Sequence, residues 1–190
     1  MKALFFPGYM PEIETPRLLL RRLAMADAAS IFEYGQDPVV AEHVLWSPYR
    51  SLGEAKAFIR YMQRRYRMGD PASWGITLKD EGRVIGTIGY MWIQDDNAAA
   101  EVGYSLARAK WNQGIMTEAL SAVIDYSFGA LRLNRVEAVH EVDNPASGAV
   151  MRKCGMRREG LLREKLMNKG KFVDVELYAI LRRDYEEMDR

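Results

Sequence analysis

The sequence predicts a single α+β domain built on one mixed, mostly antiparallel central sheet. The chain has 190 residues, the length of one ordinary domain, and no linker, repeat or low-complexity tract divides it. Its hydrophobic period changes from helical to alternating and back again. A helix between two strands implies a crossover, and therefore a locally parallel pair within the sheet.

The first elements are one strand and two helices. A strand is expected over 17–23, and a helix over 27–36 carries apolar residues at helical spacing. The second helix starts at Ser51, a plausible N-cap, with Glu54 three residues later completing a capping box. Apolar residues then recur on one side of this helix until 69–71 (Gly-Asp-Pro) ends it.

A three-stranded meander follows, because the apolar residues now alternate. Its strands are expected over 72–79, 83–93 and 98–106. Residues 80–82 (Asp-Glu-Gly) and 95–97 (Asp-Asp-Asn) supply the two turns.

The second half of the chain alternates between helix and strand. The expected elements are a helix over 114–128, a strand over 135–142, a short helix over 145–153, and two long strands near 155–166 and 172–182. Residues 168–170 (Asn-Lys-Gly) turn the chain between the last two strands.

Composition narrows the class of protein. Lys and Arg number 27 against 26 Asp and Glu, so the formal net charge is +1, which argues against a general nucleic-acid binder. The single cysteine gives no internal disulfide and no sign of an oxidising compartment. Two histidines and one cysteine cannot form a zinc site of the usual kind without carboxylates, so no metal is expected.

We also expect no targeting segment in this sequence. The apolar run in MKALFFPGYM is interrupted by Pro7 and Gly8, so it is too short for a secretory signal. No apolar run reaches the roughly 18 residues that a membrane span needs. We therefore expect a soluble cytoplasmic domain without membrane contact.

The segment 108–119 connects the end of a strand to the start of a helix. Such a turn presents unpaired backbone N–H groups at the positive end of the helix dipole. Gly114 allows a ligand to approach the backbone closely, and Arg108 and Lys110 add positive charge. The segment is either a cradle for a pyrophosphate or an ordinary helix start with two solvated basic residues; alone, it favours the ordinary start.

The segment 143–156 forms a second strand-to-helix mouth. Pro145 fits the first helical turn, which makes Asn144 a candidate N-cap, and Ser147 lies within that turn. An amide and a hydroxyl presented together could hold and protonate a ligand. Alternatively, Asn144 only caps the helix and Ser147 only occupies its first turn.

Together, the segments identify a family resemblance. The sequence resembles the GNAT acetyltransferase superfamily, and within it the Rim-type group that acetylates protein N-terminal amines. The matching segments are TPRLLLRRL at 15–23, EVGYSL at 101–106, WNQGIMTEA at 111–119 and NPASGAVMRKCGM at 144–156. Their order and spacing agree over about residues 12 to 185.

The resemblance implies a specific fold and co-substrate. Two neighbouring parallel strands, here 99–107 and 135–142, are expected to splay apart in a V, with helices on both faces of the sheet. The pantetheine arm of acetyl-CoA would lie in the opening. Backbone groups around Tyr104, Ser105 and Leu106 would hold the acetyl carbonyl and the arm, as an added strand would be held.

The resemblance also assigns the remaining binding residues. Asn144 takes the place of the family Asn that contacts the arm, and Ser147 that of the proposed proton donor to the thiol. The family's pyrophosphate loop falls on Trp111, Asn112, Gln113, Gly114, Ile115 and Met116. Trp111 replaces the usual Gln or Arg, as is common in the Rim-type branch, and Met116 replaces Gly or Ala and leaves less room.

Direct transfer to an amine requires a base, because the attacking amine must be neutral. Glu101 is the first candidate, since it lies on the strand that also carries the acetyl contact. It could equally be a sheet carboxylate paired with an arginine. Glu141 on the neighbouring strand is the second candidate, a water-mediated route is the third, and His140 is expected to be buried and hydrogen-bonded.

The acceptor is expected to enter opposite the co-substrate, between the loop 36–50 and the turn 167–171. Trp46 and Tyr49, with His43 and Arg50, could grip a peptide, or the aromatic rings could simply pack under the loop. The resemblance favours a protein N-terminal amine, such as that of a ribosomal protein. A small-molecule amine or a non-catalytic CoA-binding module remain alternatives, and the protein could be a monomer or a homodimer.

Overall fold

The computed structural model describes residues 10–188; the apolar run at the start of the sequence lies outside them. These residues form one eight-stranded sheet with the strand order β1-β2-β3-β4-β5-β6-β8-β7. The strands are β1 (Ile13–Glu14), β2 (Leu18–Arg21), β3 (Ser73–Leu78), β4 (Val84–Gln94), β5 (Ala99–Leu106), β6 (Arg135–Glu141), β7 (Arg157–Asn168) and β8 (Lys171–Leu181). All neighbouring pairs are antiparallel except β5 and β6.

The helices cover both faces of the sheet, as predicted. They are α1 (Ala28–Gly35), α2 (Pro38–Ala41), α3 (Leu52–Met68), α4 (Ile115–Gly129), α5 (Pro145–Lys153) and α6 (Arg182–Glu186). Tyr104 of β5 turns toward α5, where its hydroxyl meets Ser147. The next residue, Ser105, points to the opposite face, where Tyr34 of α1 approaches it. Among the described residues, no helix is long and apolar enough to cross a membrane.

Every predicted helix and strand is present, with ends shifted by a few residues. The structure adds β1, α2 and α6, which are too short to produce a clear hydrophobic period. The predicted capping box on α3 is wrong. The side chain of Ser51 makes no capping hydrogen bond, and the Glu54 carboxylate instead accepts from the backbone N–H of Arg50 at 2.8 Å.

The hydrophobic core fixes α4 against the sheet. The indole ring of Trp74 meets the rings of Tyr90 and Tyr126 edge-on, each with centroids 5.8 Å apart. The hydroxyl of Tyr90 lies 2.5 Å from that of Ser127, and Phe128 is buried in the same layer. Aromatic pairs of this kind bury large areas in defined orientations. They hold α4 over the central strands.

The parallel strands β5 and β6 separate, which confirms the predicted splay. They pair only between residues 99–101 and 135–137, although β5 continues to Leu106 and β6 to Glu141. The register of β4 against β5 shifts between Tyr90 and Trp92, which makes Met91 the extra residue of a β-bulge. A bulge bends its strand and increases the twist. This bulge lies at the level where β5 and β6 part.

Candidate active site

The first wall of the gap is the backbone of β5. The N–H of Ala107 donates to the carbonyl of Ile85 in β4, at 2.7 Å. Along a strand of an antiparallel pair, the backbone N–H and C=O groups of successive residues point alternately toward the partner strand and away from it. The backbone groups of Ser105 therefore face β4, whereas those of Tyr104 and Leu106 face the gap. This arrangement favours Tyr104 and Leu106 over Ser105 as backbone contacts for a ligand in the gap.

The second wall is the backbone of β6. The N–H of Val142 donates to the carbonyl of Asp174 in β8, at 3.2 Å. By the same alternation, the backbone groups of Val139 face the gap, whereas the carbonyl of Glu141 already accepts from the N–H of Asn144 at 2.8 Å. The gap therefore offers strand-like donors and acceptors on both sides, which suits an extended ligand that carries amide groups.

Tyr104, Asn144 and Ser147 come together where α5 begins. Asn144 caps α5, because its Oδ1 accepts from the N–H of Ser147 at 3.3 Å. The Tyr104 hydroxyl donates to the Ser147 carbonyl at 3.1 Å and lies 2.9 Å from Ser147 Oγ. Burial is the main cause that raises the pKa of Tyr104, so this phenol stays neutral. Its side chain is a candidate that the sequence analysis missed, although strand alternation alone could have placed it on the α5 side.

The loop before α4 has a fixed conformation. Gly114 is its N-cap residue and has a φ of 71° and a ψ of 4°, in the left-handed region that favours glycine. The indole N–H of Trp111 donates to the carbonyl of Leu106 at 2.8 Å. The guanidinium of Arg17 donates to the carbonyl of Gln113 at 3.0 Å and to the carboxylate of Glu118 at 2.6 Å. Contacts with Leu106 at the end of β5 and with Arg17 before β2, which Glu118 in α4 holds in turn, therefore keep this loop in place.

The charge and burial of this loop limit what it can offer a ligand. Ile115 and Met116 are buried, so only their backbone N–H groups can face outward. Lys110 pairs with Glu81, whereas Arg108 is exposed. The helix start and these cations favour an anion at this position. Sequence reasoning missed Arg17, whose role depends on contacts between distant parts of the chain.

Glu101 lies at the closed end of the gap, on the face opposite Tyr104. Its carboxylate accepts a hydrogen bond from the indole N–H of Trp92 at 2.9 Å, so its donor is a tryptophan and not the arginine that the alternative interpretation required. Burial raises the pKa of Glu101, and the hydrogen bond from Trp92 lowers it in part. A partly buried carboxylate of raised pKa is a suitable proton acceptor.

Glu141, the second candidate base, connects the two segments between which the acceptor is expected to enter. One oxygen lies 2.9 Å from Nδ1 of His43, and the other accepts from the side-chain amide of Asn168. Beside them, the ammonium of Lys169 donates to the carbonyl of Val44 at 2.7 Å. Because both oxygens have partners, Glu141 has a structural role in joining the loop 36–50 to the turn 168–170.

The remaining candidate residues are packed into the protein. The rings of Trp46 and Tyr49 stack with centroids 5.3 Å apart and lie partly buried against the core, as the packing interpretation expected. His140 is buried, and its Nδ1 bonds to the carbonyl of Glu141 at 2.7 Å. Within residues 10–188, no group of three or more His, Cys, Asp or Glu side chains is arranged to hold a metal ion.

Comparison with known proteins identifies the family. The family described as acetyltransferase (GNAT) domain matches residues 17–157. An uncharacterized N-acetyltransferase p20 from Bacillus licheniformis is 34% identical over 176 residues, which cover 93% of this chain and 99% of that protein.

Two further proteins have names that refer to a substrate or a ligand. A ribosomal-protein-serine acetyltransferase from Escherichia coli is 35% identical over 99 residues, or 52% of this chain and 55% of that protein. The solved structure of Mycobacterium smegmatis RimJ in complex with CoA-disulfide has a TM-score of 0.85 and 25% identity, and the match covers 97% of this chain and 92% of that one. The chain thus belongs to the GNAT acetyltransferase family, whose members use acetyl-CoA, and it is an N-acetyltransferase.

Proposed function

We propose that this N-acetyltransferase transfers the acetyl group of acetyl-CoA directly to the N-terminal α-amine of a protein, such as a ribosomal protein. The observation that carries the chemistry is the gap between β5 and β6, with Glu101 on one face and Ser147 on the other. The protein acceptor is supported by the ribosomal-protein acetyltransferases among the relatives.

Acetyl-CoA, when bound, supplies the acetyl group as a reactive thioester. The pantetheine arm would be held by the gap-facing backbone of Tyr104 and Leu106 and by the amide of Asn144. The pyrophosphate would meet the backbone N–H groups of the loop 111–116, with Arg108 beside them. The N–H of Leu106 would stabilise negative charge on the acetyl oxygen.

The two residues on opposite faces of the gap would have opposite roles in proton transfer: Glu101 would accept a proton, and Ser147 would donate one. An α-ammonium group has a pKa of about 8 and a lysine about 10.4, so Glu101 would accept a proton from the acceptor. Ser147 would donate a proton to the departing sulfur. Tyr104 stays neutral, and its single proton, which bonds to the Ser147 carbonyl in this structure, can turn to Ser147 Oγ at 2.9 Å and leave the serine's own proton free for that sulfur.

Substitution of Gly114 by Ala tests the assignment of the loop. A Cβ atom at Gly114 would meet nothing closer than Arg17 at 3.5 Å, so the main effect is the left-handed φ, which costs an alanine about 1 kcal/mol. We expect the Kd for CoA, measured by calorimetry, to rise about fivefold as the loop relaxes.

The matched control for this substitution is Gly129→Ala, at the other end of α4. A Cβ atom there would meet nothing within 4 Å, and its φ is not positive. We expect this variant to bind CoA as the unmodified chain does. An unchanged Kd in Gly114→Ala would contradict the role of the loop.

The acceptor is tested with a panel of amines and intact-mass spectrometry. Peptides with varied N termini, the same peptides blocked at the α-amine, and small amines are each incubated with the protein and acetyl-CoA. Addition of one acetyl group only to peptides with a free N terminus supports the proposal. Acetylation of small amines alone would replace it with a small-molecule role, and CoA binding without any acetylated product would indicate a non-catalytic module.

A further inference from the structure

Two carboxylates stand side by side at the closed end of the gap. Glu101 of β5 and Glu137 of β6 are direct partners in the parallel ladder, and they are its last pair before the strands separate. Partner residues project to the same face of a sheet, so both side chains are on the face opposite α5. Like charges at such positions destabilise a sheet, by up to about 1 kcal/mol. The pair therefore calls for an explanation.

The two carboxylates have different partners. Glu137 accepts from Nε of Arg135 at 2.6 Å. The other two guanidinium nitrogens of Arg135 donate to Glu159 at 3.0 and 2.7 Å. Among residues 10–188, the hydrogen-bond donor to Glu101 is the neutral N–H of Trp92. One positive charge is thus shared by Glu137 and Glu159, and the cluster next to Glu101 keeps one net negative charge.

Residues on β7 and β4 also contribute to the electrostatic environment of Glu101. Lys165 on β7 is the cation that acts on it, and β4 contributes the uncharged Trp92. Lys165 lies in a bulge of β7, residues 163–165, where the N–H of Glu164 donates to the carboxylate of Asp174 at 2.7 Å. Burial and Glu137 raise the pKa of Glu101, whereas Trp92 and Lys165 lower it, and the net shift is upward.

We propose that Glu137 is a positioning residue that makes Glu101 a stronger proton acceptor, and that Arg135 sets how much of the negative charge of Glu137 acts on Glu101. A carboxylate beside a second carboxylate binds a proton more tightly, which brings its proton affinity closer to that of an amine. The inference rests on the proposed role of Glu101 as the base. It explains why a repulsive pair is placed where the gap begins.

The direct test is the titration of the Glu101 carboxyl group, followed by NMR in the full chain labelled with ¹³C-glutamate. Glu137→Gln removes the neighbouring charge and is expected to lower the Glu101 midpoint by about half to one pH unit. Glu137→Asp keeps the charge and should leave the midpoint near its original value. Glu159→Gln makes the same chemical change at the other carboxylate partner of Arg135, which is not the ladder partner of Glu101. The shift that it causes in the Glu101 midpoint should be less than half of that caused by Glu137→Gln.

A second measurement separates this inference from the proposed function. Glu101 must be deprotonated to act as a base, so a lower pKa moves the acidic limb of the kcat/KM profile to lower pH. If the NMR midpoint falls in Glu137→Gln but the acidic limb does not move, Glu101 is not the base, although its coupling to Glu137 stands. If the midpoint does not fall, or falls as far in Glu159→Gln, the inference is overturned.

Discussion

Replacement of Glu101 by Gln is expected to lower kcat at pH 7 by about 100- to 1,000-fold, in the usual range for loss of a general base. With a pKa of about 8, roughly one tenth of an α-amine is neutral at pH 7, so most acceptor molecules must lose a proton. The amide keeps an oxygen that can accept the hydrogen bond from Trp92. The affinity for CoA should therefore stay within about twofold, since the gap-facing backbone is unchanged.

The pH dependence of kcat/KM distinguishes loss of a base from general damage. The deficit of Glu101→Gln should shrink above about pH 8, where the acceptor is neutral without help. Glu159→Gln serves as the control, because it removes a carboxylate beside Arg135 rather than at the gap. Full activity of Glu101→Gln at pH 7 would contradict the assignment. A large loss in Glu141→Gln that shrinks above about pH 8, as the loss of a base should, would instead identify Glu141 as the base.

The elements of the fold could be predicted because their patterns are long. α3 and α4 each carry an apolar stripe over at least four turns, and the strands of the meander alternate between clear turns. β1 has two residues and α2 has four, so neither repeats a period. α2 depends instead on Asp37, whose side chain accepts from the N–H of Val39 at 2.9 Å.

The proximity of candidate residues could be predicted where they are close in sequence, but not where distant parts of the chain meet. Asn144 and Ser147 lie within one helical turn, so their proximity follows from helix geometry. The contact of Arg17 with Gln113 joins residues 96 positions apart. Such a contact depends on how β2 and α4 pack, and neither local propensity nor spacing contains that information.

Strand register decides which candidates could cooperate. Tyr104 and Ser105 are adjacent in sequence, yet the first faces α5 and the second faces α1. The bulge at Met91 sets the register at which Trp92 meets Glu101. A shift by one residue would turn every side chain to the other face. The separation of Glu101 from Ser147 by the plane of the sheet is therefore a property of the register, and it would keep the proposed proton acceptor apart from the proposed proton donor.

Substitution of Ser147 by Ala is expected to lower kcat by about 10- to 100-fold. Loss of a general acid usually costs about 10²- to 10⁴-fold, and the loss here should be at or below the lower limit of that range, because a thiol of pKa about 8.5 leaves readily as thiolate. If Tyr104 acts through Ser147, Tyr104→Phe should cost only about three- to tenfold. The double variant should then be no slower than Ser147→Ala, because the contribution of Tyr104 passes through the hydroxyl at 2.9 Å.

A double-mutant cycle on kcat, with CoA affinity measured in parallel, tests this relay. Tyr90→Phe is the matched control, since Tyr90 is also a buried tyrosine whose hydroxyl meets a serine, Ser127 of α4, but its pair lies in the core. It should lower the melting temperature and leave kcat near its original value. Additive losses in Tyr104→Phe and Ser147→Ala would mean that each hydroxyl acts independently. An unchanged kcat in Ser147→Ala would contradict its role as proton donor, because this substitution removes the hydroxyl at the start of α5 and leaves the backbone walls of the gap intact.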